Sequence, residues 1–322
     1  MRNGCRWGNY NLLRALIAFL AFAGIVSVRA QGDPASAQDR AQLLRVQSGL
    51  RDETVSPTGT DDVHAVATPN DPDLGEQEIL KRSDSYQPWT VSVAAPVSYT
   101  SNVALSRNNE EGDALFTPGL GVSFVPKIKG TLYASFSVGK QFFFYDRFSE
   151  LNFASFDARA GLTYTLPRLH NLYLRAEYDY NRLTPTDSLD EFFSNHAIDL
   201  GAELPFQIGR AQQISAGVDV SFSVYADPQP PGRHDFSAYV GYSVNLTRSL
   251  TANAMARLAV RDYTDTDRTD VSGIFALGTT YRFTKWLSAN AIASFAVNDS
   301  NQDVFDYQVG NIGGALSLTF RF

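Results

Sequence analysis

The sequence predicts an all-β fold, an antiparallel up-and-down β-barrel of about 12 strands that crosses a membrane. Three observations predict it. From Trp89 onward, apolar and polar residues alternate in run after run, which is the period of a strand with one apolar and one wet face. Short and long connections alternate between these runs, as they do in membrane barrels. An apolar segment near the N-terminus has the length and flanks of a secretory signal.

That apolar segment, Ala15 to Val28, follows the basic residues Arg2, Arg6 and Arg14. It is shorter than the about 20 apolar residues that a membrane-spanning helix needs. Small residues at 28 and 30 suit a signal peptidase, so residues 1–30 are predicted to be a cleaved signal peptide. The single cysteine, Cys5, lies within it. The mature chain is therefore expected to contain no disulfide.

Residues 31–88 differ in composition from the rest of the chain. They are rich in Asp, Glu, Pro, Ser and Gln and show no alternation, so the segment is predicted to be largely disordered. Short helices are expected over residues 36–49 and from Asp71 onward. Two interpretations remain open: a mobile periplasmic tail, or a segment that plugs the barrel or docks on a periplasmic partner.

The barrel is predicted over residues 89–322, in twelve strands. Most have the nine to eleven residues that a tilted strand needs to cross a bilayer. The predicted cores are Trp89–Val103, Leu115–Val125, Thr131–Tyr145, Phe153–Leu166, Leu172–Arg182, Ala197–Phe206, Ile214–Tyr225, Phe236–Leu246, Leu250–Arg261, Val271–Phe283, Leu287–Val297 and Tyr307–Phe322. An even number of strands places both chain ends on one side, the side of the short turns.

Charge separates the two kinds of connection. The short turns carry lysine and arginine and no acid, whereas the longer loops carry many acids against four arginines, Arg107, Arg147, Arg233 and Arg268. The short turns are predicted to be periplasmic and the acidic loops extracellular. The net charge of −7 argues against a nucleic-acid partner.

Residue parity within each strand assigns one face to lipid and the other to the lumen. On the fourth strand, Phe156 and Ala158 share one face and Asp157 and Arg159 the other, and lipid excludes the charged face. Lys140 falls on the lipid parity of the third strand, and we expect a β-bulge to turn it inward. Aromatic residues are expected to form a girdle near the short turns. They are Trp89, Phe124, Tyr164, Phe206, Tyr281, Phe283, Trp286 and Phe322.

Charged residues of the lumen parity are the candidate pore-lining set. Acids concentrate on one wall of the barrel and arginines on the other. The set is Asp157, Arg159, Arg175, Glu177, Asp179, Asp199, Glu203, Asp219, Arg257, Arg261 and Arg282. Such walls would focus a field across the lumen and orient small polar or zwitterionic solutes. Alternatively, opposite charges pair across the interior and close it. Twelve strands fall between the filled barrels of eight and the open barrels of sixteen.

The final run, Ile312 to Phe322, alternates strictly and places Leu316, Leu318, Phe320 and Phe322 on one face. It resembles the C-terminal signal of bacterial outer-membrane β-barrels. Short motifs such as Tyr99 to Val103 and Phe283 to Leu287 are similar to strand ends of barrel porins. Together with the final run, they make residues 89–322 resemble barrel porins. The resemblance implies a Gram-negative outer-membrane location with both termini periplasmic, contact with outer-membrane lipid and lipopolysaccharide, and folding by the barrel-assembly machinery through the last strand.

The sequence favours a pore for passive diffusion of small polar solutes. The alternative is a closed structural, adhesion or envelope-assembly barrel that acts through its acidic loops and residues 31–88. Ser194 and His196 share a lipid-side face at the outer rim, similar to outer-membrane lipid hydrolases, but their order is reversed, and we favour a polar cap. No enzyme activity, cofactor or metal site is predicted.

Overall fold

The computed structural model describes residues 36–43, 86–209 and 211–322. Its barrel strands are β1 (Trp89–Thr100), β2 (Asp113–Phe116), β3 (Gly119–Phe124), β5 (Leu132–Tyr145), β6 (Phe153–Leu166), β7 (Leu172–Pro185), β8 (Phe193–Ile208), β9 (Gln212–Asp227), β10 (Arg233–Asn245), β11 (Leu250–Tyr263), β12 (Thr269–Arg282), β13 (Leu287–Ser300) and β14 (Tyr307–Arg321). Thr117 and Pro118 separate β2 from β3, which together form one barrel strand. A short strand, β4 (Lys127–Lys129), lies in the following turn.

Each barrel strand pairs antiparallel with its sequence neighbour, and the last closes on the first. The β1–β14 ladder runs from Thr90 opposite Arg321 to Thr100 opposite Asn311. The Trp89 N–H donates to the Phe322 carbonyl at 3.0 Å, and the Phe322 N–H returns a bond at 3.1 Å. Closure of the barrel gives hydrogen-bond partners to the backbone N–H and C=O groups that the edge strands of an open sheet would leave unpaired. The predicted fold class, a closed up-and-down barrel of 12 strands, is confirmed.

The two ends of the barrel differ in their connections. The loop end, as we name it, carries residues 101–112, 146–152, 186–192, 228–232, 264–268 and 301–306. The opposite turn end carries residues 125–131, 167–171, 246–249 and 283–286, together with residues 209 and 211. Trp89 and Phe322 both lie at the turn end.

The outer surface of the barrel is apolar. Exposed side chains such as Leu162, Val240 and Ile312 follow the predicted lipid parity, and alternation of this kind is what a bilayer requires. The aromatic residues expected near the short turns are exposed at the turn end, where Trp89 stacks on Phe124 with ring centroids 4.4 Å apart. Among the described residues, no helix has the length and apolar composition needed to cross a membrane.

The expected bulge at Lys140 is wrong. β5 pairs in regular register there, with Lys140 opposite Leu120 on β3 and opposite Phe156 on β6, so the side chain keeps the lipid parity. Its ammonium lies 5.1 Å from the ring centroid of Phe142. A long aliphatic stem and a cation–π contact make this orientation tolerable where a bulge would have broken the ladder.

Several strands are longer at the loop end than expected. β7 continues to Pro185, and β8 already begins at Phe193. Our predicted strands stopped where the outward apolar residues stop, but backbone pairing does not require an apolar face. Polar residues beyond the apolar belt, such as Asp270 opposite Ser300, continue the ladder.

The segment before the barrel is described only in part. Residues 36–43 form a helix, α1, at the start of the helix expected over residues 36–49. The signal peptide and the helix expected from Asp71 lie outside the described residues, and the division of the chain at residues 30 and 88 stays a prediction.

Candidate functional site

The loop-end half of the lumen is filled by side chains. Ala37 and Ala41 of α1 pack in one cluster with Val103 of the first loop and with inward residues of β5 to β9, among them Phe143 and Leu183. On the opposite side, Leu43 of α1 packs with inward residues of β12 to β14 and with Leu105. Burial of α1 between two walls of the barrel means that the helix lies inside the lumen.

A buried ion pair fixes α1 to the barrel wall. The Asp39 carboxylate lies 2.6 Å from Nη1 of Arg233 and 3.5 Å from Nη1 of Arg261. The side chains of Asp39, Arg233 and Arg261 are 5%, 2% and 1% exposed. Removing one partner of such a pair leaves a buried charge without compensation and costs about 3–5 kcal/mol. The contact is therefore the main polar anchor of the helix.

Further hydrogen bonds surround this anchor. Nη1 of Arg40 donates to the Val103 carbonyl at 3.2 Å. Nε2 of Gln42 donates to Asp235 at 3.0 Å, and Nη2 of Arg233 donates to Oε1 of Gln42. Arg233 also lies 3.1 Å from Asp235 on its own strand. Arg40 and Gln42 thus add hydrogen bonds from α1 to the first loop and to β10.

The charge state of Asp39 follows from this environment. Burial alone raises the pKa of the carboxyl, but Arg233, Arg261 and Arg268 together outweigh burial and hold the pKa below its usual range. Asp39 is therefore ionised at neutral pH, and the anchor is charged on both sides.

The half of the lumen nearer the turn end is different, because two of its inward arginine side chains remain exposed to solvent. Arg159 and Arg175 are 41% and 48% exposed, although parity places both on the inward face. Arg159 lies 3.4 Å from Asp179, and Arg175 lies 2.9 Å from Asp219. These pairs join neighbours within the acidic wall, so they do not bridge the lumen. The structure thus has a wet, charged vestibule below a packed loop end.

The other predicted pore-lining residues also occupy inward positions of their strands. Glu177 accepts from Ser135 at 2.7 Å, and Glu203 accepts from Tyr239 at 2.8 Å. Asp157 accepts from Asn181 at 2.9 Å, and Arg257 donates to Ser237 at 3.0 Å. Asp199 and Arg282 lie on the same inward parity of β8 and β12. Arg261, in contrast, is buried beneath α1 and contacts Asp39 and Asn298.

Sequence reasoning missed Asp39, Gln42 and the inward position of Arg233. Arg233 was counted as a loop cation because it precedes the apolar part of β10, and Asp39 is one of many acids in a polar segment. A weak signal existed in Ala37 and Ala41, whose spacing of four places two small residues on one helix face and permits close packing.

At the rim, Ser194 and His196 lie two residues apart on β8, and the structure gives the histidine another partner. Nδ1 of His196 is hydrogen-bonded to the hydroxyl of Tyr178, and Ser194 is buried. This geometry supplies His196 with a tyrosine partner and does not favour a serine–histidine pair. Within the described ranges, no group of three or more His, Cys, Asp or Glu residues is placed to hold a metal ion.

The sequence matches no protein-family model and no curated protein. Solved structures do match. The COG4313 outer membrane channel of Pseudomonas putida F1 has a TM-score of 0.53 at 12% identity, with 74% of this chain and 98% of that chain covered. The translocator domain of autotransporter NalP from Neisseria meningitidis has a TM-score of 0.50 at 14% identity, with 92% and 100% covered. At such identities the likeness concerns the fold, and the chain therefore has the fold of the outer-membrane β-barrels.

Proposed function

We propose that this protein is an outer-membrane channel for small polar solutes, and that α1 closes its loop end in the state described. The observation that carries the proposal is the buried contact of Asp39 with Arg233 and Arg261, since it fixes a separate helix across an otherwise charged lumen. The likeness to the fold of the COG4313 outer membrane channel supports the barrel as a pore scaffold.

The solute class follows from the vestibule. Its acidic wall retains exposed cations beside several carboxylates, and Arg257 and Arg282 lie on the opposite wall. Charges of both signs facing a wet space favour small polar or zwitterionic solutes over apolar ones. The ion pairs of Arg159 and Arg175 run laterally within the acidic wall and do not reach the opposite wall.

Single-channel conductance in a planar bilayer tests the proposal. We expect few or no conductance steps from the mature full-length protein and frequent discrete steps from Asp39→Asn. The substitution keeps the shape of the side chain but leaves Arg233 and Arg261 facing each other without their shared anion, so docking of α1 weakens by about 3–5 kcal/mol.

Asp303→Asn is the matched control, because it makes the same chemical change at a side chain that is 88% exposed. It should behave like the wild-type protein. Heat-modifiable gel mobility would establish that each barrel is folded. If folded Asp39→Asn and a folded chain lacking residues 31–43 are both silent, the channel proposal is wrong.

That silence would favour the second candidate, a closed structural or adhesion barrel. The packed clusters around α1 are the observation that favours it, because they fill the loop end as a protein core does. In that case the acidic loops and residues 31–88 would carry the interactions with envelope partners.

We also propose that the turn end, with both termini of the barrel, faces the periplasm. Short turns on that side are typical of outer-membrane barrels. The mature chain is expected to contain no cysteine, so Asp303→Cys and Lys285→Cys each introduce one reactive thiol. A membrane-impermeant maleimide should label Asp303→Cys in intact cells and Lys285→Cys only after permeabilisation. The reverse pattern would invert the orientation.

A further inference from the structure

A groove of ≈ 770 Å³ crosses the outer, lipid-facing wall of the barrel. Most of its lining belongs to two adjacent rows of outward residues, each row running from strand to strand across the sheet. Ser137 and Arg159, which have the inward parity, also border it. One row passes from Val122 on β3 through Val138, Ala158, Tyr180 and His196 to Tyr225 on β9. The groove is thus a feature of strand register and is built on a rigid sheet.

The groove climbs from one end of the barrel to the other. It begins at Trp89 beside the turn end and finishes at Asp227, where β9 meets the loop end. Seven barrel strands contribute, and neighbouring strands lie about 4.8 Å apart, so the groove is roughly 29 Å long. The hydrocarbon core of a bilayer is about 30 Å thick, so one leaflet is about 15 Å deep. An acyl chain that enters at the loop end can therefore follow the part of the groove that crosses β9 to β6, three strand spacings of about 4.8 Å.

Small residues make the floor of the groove. Ala158 and Ala160 lie between Phe136 and Val138 on β5 and Tyr178 and Tyr180 on β7. The larger side chains are exposed and stand on either side of the alanines. A volume of this size lies within the range of ligand pockets, and a floor of methyl groups between aromatic ridges suits an acyl chain.

The loop end of the groove is polar. His196 is hydrogen-bonded to the Tyr178 hydroxyl, and its ring centroid lies 4.7 Å from that of Tyr180 and 5.7 Å from that of Tyr225. A register shift between His196 and Ala197 places Tyr225 opposite the imidazole. His196 and three tyrosine rings thus place polar groups at the loop end of a wall that is otherwise apolar.

The charges at this end select the headgroup. Glu191 and Asp227 line the groove, and Nε of Arg182 lies 3.0 Å from Glu191. Two carboxylates repel a purely anionic headgroup, since like charges placed together cost several kcal/mol. A headgroup that carries both an ammonium and a phosphate matches the mixture, because the carboxylates suit its cation and Arg182 suits its anion.

We propose that this groove is a binding site for a zwitterionic phospholipid. One acyl chain lies over Ala158 and Ala160, the ammonium group faces Glu191 and Asp227, and the phosphate faces Arg182 and His196. The inference is independent of whether the lumen conducts, because the bound lipid lies on the outer surface of the barrel wall. Since we propose that the loop end is extracellular, the site would hold a phospholipid that has entered the outer leaflet, where lipopolysaccharide is the usual lipid.

Native mass spectrometry of the folded, mature full-length protein tests the site. The protein is released from micelles that contain phosphatidylethanolamine, phosphatidylglycerol or lipopolysaccharide in equal amounts. We expect one phosphatidylethanolamine to remain bound, at least about tenfold more often than phosphatidylglycerol. Equal or greater retention of phosphatidylglycerol or lipopolysaccharide would overturn the proposal.

Two sets of variants locate the lipid. Ala158→Leu with Ala160→Leu fills the floor and should abolish retention, whereas Ala291→Leu with Ala293→Leu should not. This control places the same two outward substitutions on β13, away from the groove. Glu191→Gln with Asp227→Asn keeps the floor and should remove the preference for phosphatidylethanolamine over phosphatidylglycerol. Equal effects of the two alanine pairs, or an unchanged preference without the carboxylates, would show that the bound lipid is elsewhere.

Discussion

At the scale of single residues, Asp39 joins the segment before the barrel to the barrel wall. Its carboxylate is shared between Arg233 and Arg261, so one side chain supplies the main charged contact of a short helix. An exposed ion pair contributes less than about 1 kcal/mol, whereas breaking a buried one costs several times more. Burial is therefore what makes a single residue decisive here.

The anchor predicts a dependence on pH. Because the folded-state pKa of Asp39 is lowered, its stabilising contribution is complete above the unfolded value of about 4 and is lost as the pH falls through the folded-state pKa. Wild-type conductance should stay low from pH 7 to pH 5 and rise below about pH 4. Asp39→Asn should conduct at every pH. An identical acid response in both proteins would assign the effect to other carboxyls.

At Lys140, in contrast, removal of the charge should stabilise the folded barrel. Its ammonium faces lipid and rests on Phe142, and a lysine on the lipid face costs up to about 2–4 kcal/mol at the midplane and less towards the interfaces. Lys140→Met should therefore raise the free energy of unfolding by about 1 kcal/mol or more. Urea unfolding in lipid vesicles measures this change. A lower free energy of unfolding for Lys140→Met would show that the ammonium makes a favourable contact with the membrane.

At the scale of strands and loops, register decides which side chains share a space. Gly217 on β9 lies opposite Tyr239 on β10, and the tyrosine ring covers the glycine while its hydroxyl donates to Glu203. Any side chain at position 217 would occupy the place of that ring. The Tyr239 ring on β10 thus occupies the space that a side chain at position 217 of β9 would fill.

We predict that Gly217→Ala lowers the free energy of unfolding by about 1–3 kcal/mol, because the added methyl group overlaps the Tyr239 ring. Gly139→Ala is the matched control, since a methyl group there would meet its nearest neighbour, the Leu120 carbonyl, at an ordinary 3.6 Å. Its effect should stay within about 0.5 kcal/mol. Comparable losses for the two variants would indicate a general intolerance of bulk in the lumen.

The same scale explains how far pattern reasoning extends. Alternation identified every barrel strand, because lipid demands an apolar residue at each second position. It made several strands too short at the loop end, as at β8, and it missed the regular register at Lys140. Neither backbone pairing beyond the bilayer nor a cation–π contact leaves a trace in the period of the sequence.

At the scale of the whole molecule, the lumen has two unlike halves. The loop end is packed around α1, and the vestibule below it is charged and wet. Opposed walls of acid and base produce a transverse field, which acts on solutes according to their charge. A channel with such walls should change selectivity when one wall is altered.

We therefore expect Asp199→Lys to shift ion selectivity towards anions and Arg257→Glu to shift it towards cations. Both changes are introduced into Asp39→Asn, so that the barrel conducts. Reversal potentials in a salt gradient measure the shift. If neither variant moves the reversal potential, these two residues do not line the path of the ions.

The sequence by itself determined the number of strands, their inward and outward faces, the closed barrel and the apolar exterior. Each of these follows from a local rule, since lipid acts on every second residue of every strand in the same way. Only the tertiary structure decided that Arg233 and Arg261 meet Asp39, that α1 fills the loop end, and that two rows of outward residues leave a groove over Ala158 and Ala160. Those contacts join residues that are far apart in the chain, and barrel closure and strand register bring them together. The alternation of apolar and polar residues within one segment predicts neither the geometry of closure nor the register between strands.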